Sequence, residues 1–308
     1  MNPTFVTKAP GGKPVRKRSE LPYTYFMPYP RIASCLAGKR SGINRKFRVV
    51  TKLPALITDF ADLETYCMFL GHARSGHSLF GSLLDAHPEI VLAHEFNTLK
   101  KINWGLSREK LFNGLWRRSV RFTQSGRKWN GYDYKVPGQW QGRCRKLRVI
   151  GDKKGGVSSA LLQRNPELLQ QLRDIVGVPV KFIRVIRNPF DNIRTLCRYY
   201  HRNQLNPAIE HYFSLCETIE VIKMKIPTEN WLDIYHEHFI TNPEPILKFA
   251  CQFLGVGATD GYLKACAGIV FDSPIKRRYE IIWTQAQRRK VEAGIGKYNH
   301  LTSYTFNS

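Results

Sequence analysis

The sequence predicts an α/β fold, a parallel central sheet covered by helices on both faces, and two observations carry that prediction. From about residue 64 the chain alternates between compact apolar runs of strand length and stretches whose apolar residues recur at helical spacing. Glycines and prolines stand at the boundaries, at Gly71, Pro88 and Pro189, where one kind of segment gives way to the other. Short strands separated by helices are the pattern of crossover connections, and these bury a sheet on both sides.

In order, Tyr66-Cys67-Met68-Phe69-Leu70 reads as the first buried strand, ending at Gly71. Leu79, Phe80, Leu83 and Leu84 then follow at helical spacing, and that helix should stop before Pro88. The short run Ile90 to Ala93 is a second strand, and Leu147-Arg148-Val149-Ile150 is a further candidate, followed by helical material to about residue 174. Val180 through Ile186 is the clearest strand, with Pro189 placed to begin the next helix. Beyond it the sequence predicts a helix at about 206–225, a strand near 231–235, a helix at about 243–254 and amphipathic segments after Trp283. Residues 1–60 read as a basic arm, with five prolines from Pro10 to Pro30 discouraging long helices, and residues 61–308 as one α/β domain. The apolar segment from Pro22 to Tyr29 is suited to packing on the domain surface.

The chain has 308 residues, of which 43% are hydrophobic and 12% aromatic, enough for a real core. It carries 48 Lys and Arg against 24 Asp and Glu, a formal charge of +24 and a pI near 9.9. Two windows hold nearly all of this excess: residues 1–50, where Glu20 is the single acid, and residues 101–150, where Glu109 and Asp133 face 13 cations. A field of that kind gathers anions such as nucleic acid, acidic headgroups, polyanionic glycans or a phosphate-rich cosubstrate. No zinc finger, RNP-like signature or helix-turn-helix accompanies the charge, which argues against nucleic acid. No apolar run is long enough for a transmembrane span, and the N-terminus has no signal-like apolar region. The seven cysteines, Cys35, Cys67, Cys144, Cys197, Cys216, Cys251 and Cys266, are odd in number and lack a CxxC pair. Buried free thiols in a reducing compartment, and hence a cytoplasmic protein, are the expectation.

The most informative segment is Leu70-Gly71-His72-Ala73-Arg74-Ser75-Gly76-His77-Ser78-Leu79. A strand, a loop with glycines five apart and a hydroxyl residue opening a helix have the layout of a phosphate-binding P-loop, and so predict a P-loop NTPase-like three-layer sandwich. Backbone N–H groups at such a loop point at the ligand, and the helix dipole favours negative charge. His77 stands where a nucleoside triphosphatase has its lysine, and Arg74 supplies a positive charge inside the loop instead. Arg187, at the C-terminal end of the clearest strand, and Thr195, eight residues on, form a second anion site. Eight residues are just over two helical turns, so both can face one ligand beside the sheet. Two anion sites at one sheet edge suit a ligand phosphorylated at two separated places.

With these motifs in order the sequence resembles the sulfotransferases that use 3′-phosphoadenosine 5′-phosphosulfate (PAPS). In that family a GxxRSGT[ST] loop holds the 5′-phosphosulfate, and an Arg…Ser pair eight apart holds the 3′-phosphate. Gly71 to Ser78 matches the first motif, and Arg187 with Thr195 the second. Leu84-Asp85-Ala86-His87-Pro88 and the segment from His236 to Glu244 also look like the family, the latter resembling YEDLVxxPE. The resemblance spans roughly residues 66–305. It implies PAPS as cosubstrate, bound by Arg74, Ser75, Gly76, His77, Ser78, Leu79, Arg187 and Thr195, with Lys276 and Arg277 from the basic cluster ending at Arg278. Four residues depart from the pattern: His77 replaces a threonine, His236 and His238 replace Tyr and Asp, and Thr195 replaces Ser.

Sulfuryl transfer from such a donor is in-line attack of an acceptor oxygen or nitrogen on sulfur, with the bridging oxygen leaving as an anion. Positioning and positive charge should dominate, and a base must take the acceptor proton. Glu95, emerging after the second strand, matches the glutamate base of several family branches, and His94 is the alternative. Lys153, in Gly151-Asp152-Lys153-Lys154, matches the lysine that neutralises the leaving oxygen, with Lys154 beside it, and Arg74 adds a further cation. No metal site is expected. Two other readings are a P-loop kinase, in which Asp152 is a Walker-B-like magnesium ligand, and a non-catalytic polyanion-binding protein. The acceptor implied is a small molecule, lipid or glycan. Trp104, Trp116, Trp129, Tyr132, Tyr134 and Trp140 suit an acceptor lining and ordinary packing equally well.

Overall fold

The computed structural model describes residues 60–308, so the basic arm, its Pro22–Tyr29 segment and Cys35 lie outside the described residues. Five parallel strands form the sheet: β1 (Thr65–Leu70), β2 (Ile90–His94), β5 (Val149–Lys153), β6 (Val180–Ile186) and β7 (Trp231–Tyr235), in the order β2-β5-β1-β6-β7. Because all five run the same way, the loops that leave their C-terminal ends share one edge. The strand order reverses around β1, the kind of position at which open α/β sheets bind their ligands.

β1 is buried along its whole length, and its side chains divide between two cores as strand geometry requires. Cys67 and Phe69 pack with α1 (His77–Leu84), α9 (Pro243–Leu254) and α10 (Asp260–Ala267). Tyr66, Met68 and Leu70 pack with α2 (Thr98–Ile102), α4 (Gly155–Arg164), α5 (Leu168–Val176) and α7 (Leu205–Lys223). A third cluster gathers α6 (Pro189–Tyr200) and α11 (Gln285–Ile295) around Phe190 and Trp283. α3 (Arg108–Gln124) packs along β2, covering a strand edge that would otherwise be open to pairing. After α3 comes a short antiparallel hairpin, β3 (Lys128–Trp129) and β4 (Tyr132–Asp133). α8 (His236–Thr241) follows β7 directly. This is the expected α/β sandwich. Among the described residues no helix is long and apolar enough to cross a membrane.

One strand differs from its expected extent. The apolar run Leu147–Ile150 places a strand there, but β5 runs on through Gly151, Asp152 and Lys153. Pairing on both sides overrides the polar residues: Asp152 lies in register with Met68 of β1 and Ala93 of β2. A Cβ on Gly151 would come within 2.0 Å of the Cys67 carbonyl oxygen, so the close approach of β1 requires glycine at this point. The helical stretch expected to residue 174 is two helices, α4 and α5, separated at Asn165-Pro166.

Asp85, in the turn after α1, ties the α1 side of the sheet together. Its carboxylate accepts from Leu92 N at 2.8 Å, from Ser119 Oγ at 2.8 Å and from Arg127 Nη1 at 2.7 Å. Both charged side chains are 1% exposed. Removing one partner strands the other charge in the core, so Asp85→Ala should lose about 3–5 kcal/mol of folding stability. Urea unfolding measures this, and a loss under about 1 kcal/mol would show the pair to be dispensable.

Candidate active site

The loop between β1 and α1 is built from left-handed residues: Gly71, Arg74 and Gly76 have φ of 131°, 67° and 107°. At Gly76 a close approach adds to the torsional demand, because a Cβ there would meet His236 Nδ1 at 2.5 Å. Side chains from neighbouring elements secure the loop. Ser159 Oγ of α4 accepts from Gly71 N at 2.9 Å, Asn192 Nδ2 of α6 donates to Ala73 O at 3.1 Å, and Ser75 Oγ donates to His72 O at 3.0 Å. Ser75 is buried and Leu79 belongs to the core, so what these two present at the start of α1 is main-chain N–H rather than side chain.

The His77 imidazole does not reach out of the loop as a donor. It packs beneath it, edge-on to Phe69 with ring centroids 5.6 Å apart, and its Nε2 accepts from Val185 N at 3.4 Å. Gly155 leaves the space for it, since a Cβ there would lie 2.3 Å from the ring. Burial, assisted by the charge of Lys153, lowers its pKa to about 3, so the ring is neutral. The basic loop residue is Arg74. Its guanidinium stacks on Tyr199 of α6 at 4.4 Å from the ring centre, and its Nη1 donates to the Asn130 side-chain oxygen at 2.7 Å.

Arg187 follows β6 and comes to the same loop. Its Nη1 donates to Arg74 O at 3.4 Å and its Nη2 to Ile275 O at 2.5 Å. Burial is the main influence on this guanidinium and lowers its pKa, against the pull of Asp191 and Glu237. Glu237 also holds the turn after Arg187, accepting from Asn188 N at 2.9 Å and from the Tyr304 hydroxyl at 2.7 Å. Thr195 is buried two turns into α6, where its hydroxyl donates to Asp191 O at 2.8 Å. In the late basic cluster the three cations divide. Lys276 is exposed, Arg277 donates to Glu280 at 2.7 Å and to the Tyr132 hydroxyl at 3.3 Å, and Arg278 turns inward to Asp191 at 3.2 Å.

Glu95, one residue past β2, has φ of 60° and receives two lysines. Lys153 Nζ donates to its Oε1 at 2.6 Å and Lys154 to its Oε2. Lys153 also donates to Ser78 Oγ at 2.9 Å, and its stem fits against α1 because Gly81 has no side chain. Burial alone raises the Glu95 carboxyl, but the two ammonium charges outweigh it and hold it at about 2. Burial lowers the pKa of Lys153, and Glu95 opposes that shift. Asp152 has no free carboxylate oxygen of the Walker-B kind: Oδ1 accepts from Phe96 N at 3.0 Å and Oδ2 from Thr98 N at 2.7 Å, capping the turn into α2. His94 is 3% exposed and stacked on Phe122 at 4.1 Å, and burial lowers its pKa to about 2. It is a poor position for exchanging a proton with a substrate.

Of the six aromatic candidates, three come to this edge, all from the hairpin region. Trp129 meets His94 edge-on at 5.2 Å, Tyr132 holds Arg277, and Tyr134 packs into the core near Ser78, with burial raising that phenol to about 12. Trp104 is exposed beside Lys100 and Lys101, Trp116 packs in the β2-side core, and Trp140 stacks with Arg143. The residues not anticipated are Asn130, Asn192, Tyr199, His236 and Glu237. The Asn130-Gly131 pair is a hairpin-turn signal, and His236-Glu237 lies in a family-like segment, but neither pattern says which loop it touches.

Comparison with known proteins adds three findings. The sulfotransferase domain of the olefin synthase of Synechococcus PCC 7002 superposes with a TM-score of 0.52 at 16% identity, covering 80% of this chain and 99% of its own. A sulfotransferase from Alicyclobacillus acidocaldarius gives 0.45 at 14% identity, with 78% and 96% covered, and a mouse sulfotransferase complexed with PAP gives 0.44 at 15%, with 78% and 86% covered. No curated protein sequence matches the chain. A sequence model of the sulfotransferase family matches residues 68–260, well over half of the chain. The chain with the Arg74 loop, the Arg187 turn and the Glu95–Lys153 pair at one sheet edge therefore belongs to the sulfotransferase family.

Proposed function

We propose that this protein transfers a sulfuryl group from PAPS to a hydroxyl or amine acceptor. The observation that carries the reading is the contact between the two cationic loops: Arg187 Nη1 lies 3.4 Å from the carbonyl of Arg74. One nucleotide with phosphates at both ends of its ribose spans two such neighbouring groups. The fit rests on residues already set for an anion, a glycine-bounded loop at a helix N-terminus and a nearly buried arginine after β6. The loop from Arg74 to Leu79 takes the 5′ end, and Arg187, with Thr195 behind it, takes the 3′-phosphate. Lys276 and Arg277 close over the nucleotide from the side.

PAPS supplies an activated sulfuryl group, and everything else falls to this chain. Lys153 is the central residue, because it touches both Ser78 of the anion loop and Glu95. Its charge is shared between the carboxylate and whatever anion enters the loop. As negative charge grows at the leaving oxygen, Lys153 is drawn toward it and its hold on Glu95 weakens. The Glu95 carboxyl then rises from its depressed value and becomes a better base when a proton must be accepted. Arg74 adds a fixed charge beside the same loop.

The test is a thermal shift with the 3′,5′-bisphosphate product of PAPS and with ATP as control, followed by a screen of hydroxyl and amine acceptors with labelled sulfate. A rise in Tm with the bisphosphate at concentrations where ATP gives none supports the reading, and saturating binding raises stability with ligand concentration. A larger shift with magnesium–ATP would overturn it in favour of a kinase.

A further inference from the structure

The hairpin β3–β4 has two residues in each strand, too few to hold itself in place. Its position is set by what it touches. At its base Arg127 is locked to Asp85, and Tyr134 packs into the core. Its second strand reaches Arg277 through the Tyr132 hydroxyl. Its tip is the pair Asn130-Gly131, with φ of 52° and 82°, a left-handed two-residue turn.

Such a turn is satisfied by backbone geometry and asks nothing of the asparagine side chain. Here the side chain is engaged nonetheless. One terminal atom of the Asn130 amide lies 2.7 Å from Trp129 Nε1 and 2.7 Å from Arg74 Nη1. Both neighbours are donors, which identifies that atom as the carbonyl oxygen. The Arg74 guanidinium is thereby held by both the Asn130 carbonyl and the Tyr199 ring. Aspartate and asparagine serve equally in a turn of this kind, but not in this contact. A neutral carbonyl orients a guanidinium and leaves its charge available, whereas a carboxylate would pair with it and cancel that charge toward a ligand.

We propose that Asn130 is a positioning residue of the donor site, holding the Arg74 side chain in the orientation in which the anion loop uses it. The inference rests on the reading of Arg74 as a ligand of the donor's 5′ end. Freeing the Arg74 side chain costs the ordering of a rotamer-rich group on binding, so Asn130→Ala should weaken binding of the 3′,5′-bisphosphate by about two- to tenfold. Asn130→Asp preserves the turn and should weaken it by at least about tenfold, with the deficit shrinking as pH falls through the carboxylate range. In the double variant Arg74→Ala/Asn130→Ala, affinity should equal that of Arg74→Ala alone, since nothing is left to position.

Calorimetric titration of the bisphosphate into the wild-type full chain and these variants, with melting temperatures as a fold control, separates the outcomes. A purely structural hairpin would lower Tm without this coupling or pH signature, and that result would overturn the proposal. If Arg74→Ala weakens binding while both Asn130 variants bind as the wild type does, the positioning role falls and the donor reading stands. If Arg74→Ala leaves binding unchanged, the donor reading of this loop falls and the role of Asn130 falls with it.

Discussion

Glu95→Gln is expected to lower turnover by roughly 10²- to 10⁴-fold while leaving affinity for the 3′,5′-bisphosphate within about threefold of wild type. The amide keeps the shape of the side chain but can accept no proton, and it lies beside Lys153 and Lys154 rather than in the anion loop itself. Removing its negative charge also leaves both lysines free for the donor, so any change in affinity should be toward tighter binding. Equal loss of turnover and affinity would reject the base assignment. The pH dependence gives a second reading of the same residue. In the free protein the Glu95 carboxyl titrates at about 2, below its ordinary 4.5, so it stays ionised far into the acid range. The stability it contributes is therefore complete above its unfolded value and is lost as pH falls through about 2. Accordingly kcat/KM, which reports the free protein, should show no decline assignable to Glu95 between about pH 7 and pH 4. A carboxylate limb near 4.5 in wild type, absent from Glu95→Gln, would show that the lysines do not hold the carboxyl as described.

The second large effect is expected at Arg187. Its guanidinium is nearly buried and its bonds so far go to main-chain carbonyls, so a phosphate would be its first anionic partner apart from the nearby Asp191 and Glu237. A charge-assisted hydrogen bond is worth about 1.5–3 kcal/mol. Arg187→Ala should therefore weaken the 3′,5′-bisphosphate by about ten- to a hundredfold and a nucleotide with only the 5′-phosphate by less than about threefold. Arg187 also props the Arg74 carbonyl, and its loss could loosen the first anion site as well. Arg187→Lys separates the two effects, because it keeps a charge but cannot reproduce the fork that spans Arg74 and Ile275. Equal weakening of both nucleotides by Arg187→Ala would remove the 3′-phosphate site at this residue.

Much of the frame is legible from local patterns. β1, β6 and β7 begin and end within a residue of where the apolar runs place them, and α6 starts at Pro189. β1 and β6 are buried nearly throughout, β7 buries Trp231, Leu232 and Ile234, and α6 begins at a proline, so nearest-neighbour chemistry decides them. β5 is different. Gly151-Asp152-Lys153 has no strand character of its own, and it is extended because β1 and β2 hold it from both sides. The same long-range pairing gives Asp152 its role: a residue that local sequence offers as a magnesium ligand has both oxygens on backbone N–H groups of the turn into α2. His77 shows the limit of a motif from the other direction. Its place in the loop is evident in the sequence, yet its ring lies under the loop because Gly155, far along the chain, leaves a cavity of the right shape.

From the order of residues alone come the α/β class, the family and the sheet edge on which the candidate groups gather. These follow from burial periodicity, breaker residues and short motifs, all of which act over a few neighbours. Only the folded chain decides that Lys153 links Glu95 to Ser78, that Arg187 meets the Arg74 carbonyl, and that a hairpin 56 residues beyond the anion loop rests on it. Each of these contacts joins segments distant in sequence, and the direction of a hydrogen bond or the depth of a charge is set by the packing around it rather than by the residues beside it in the chain.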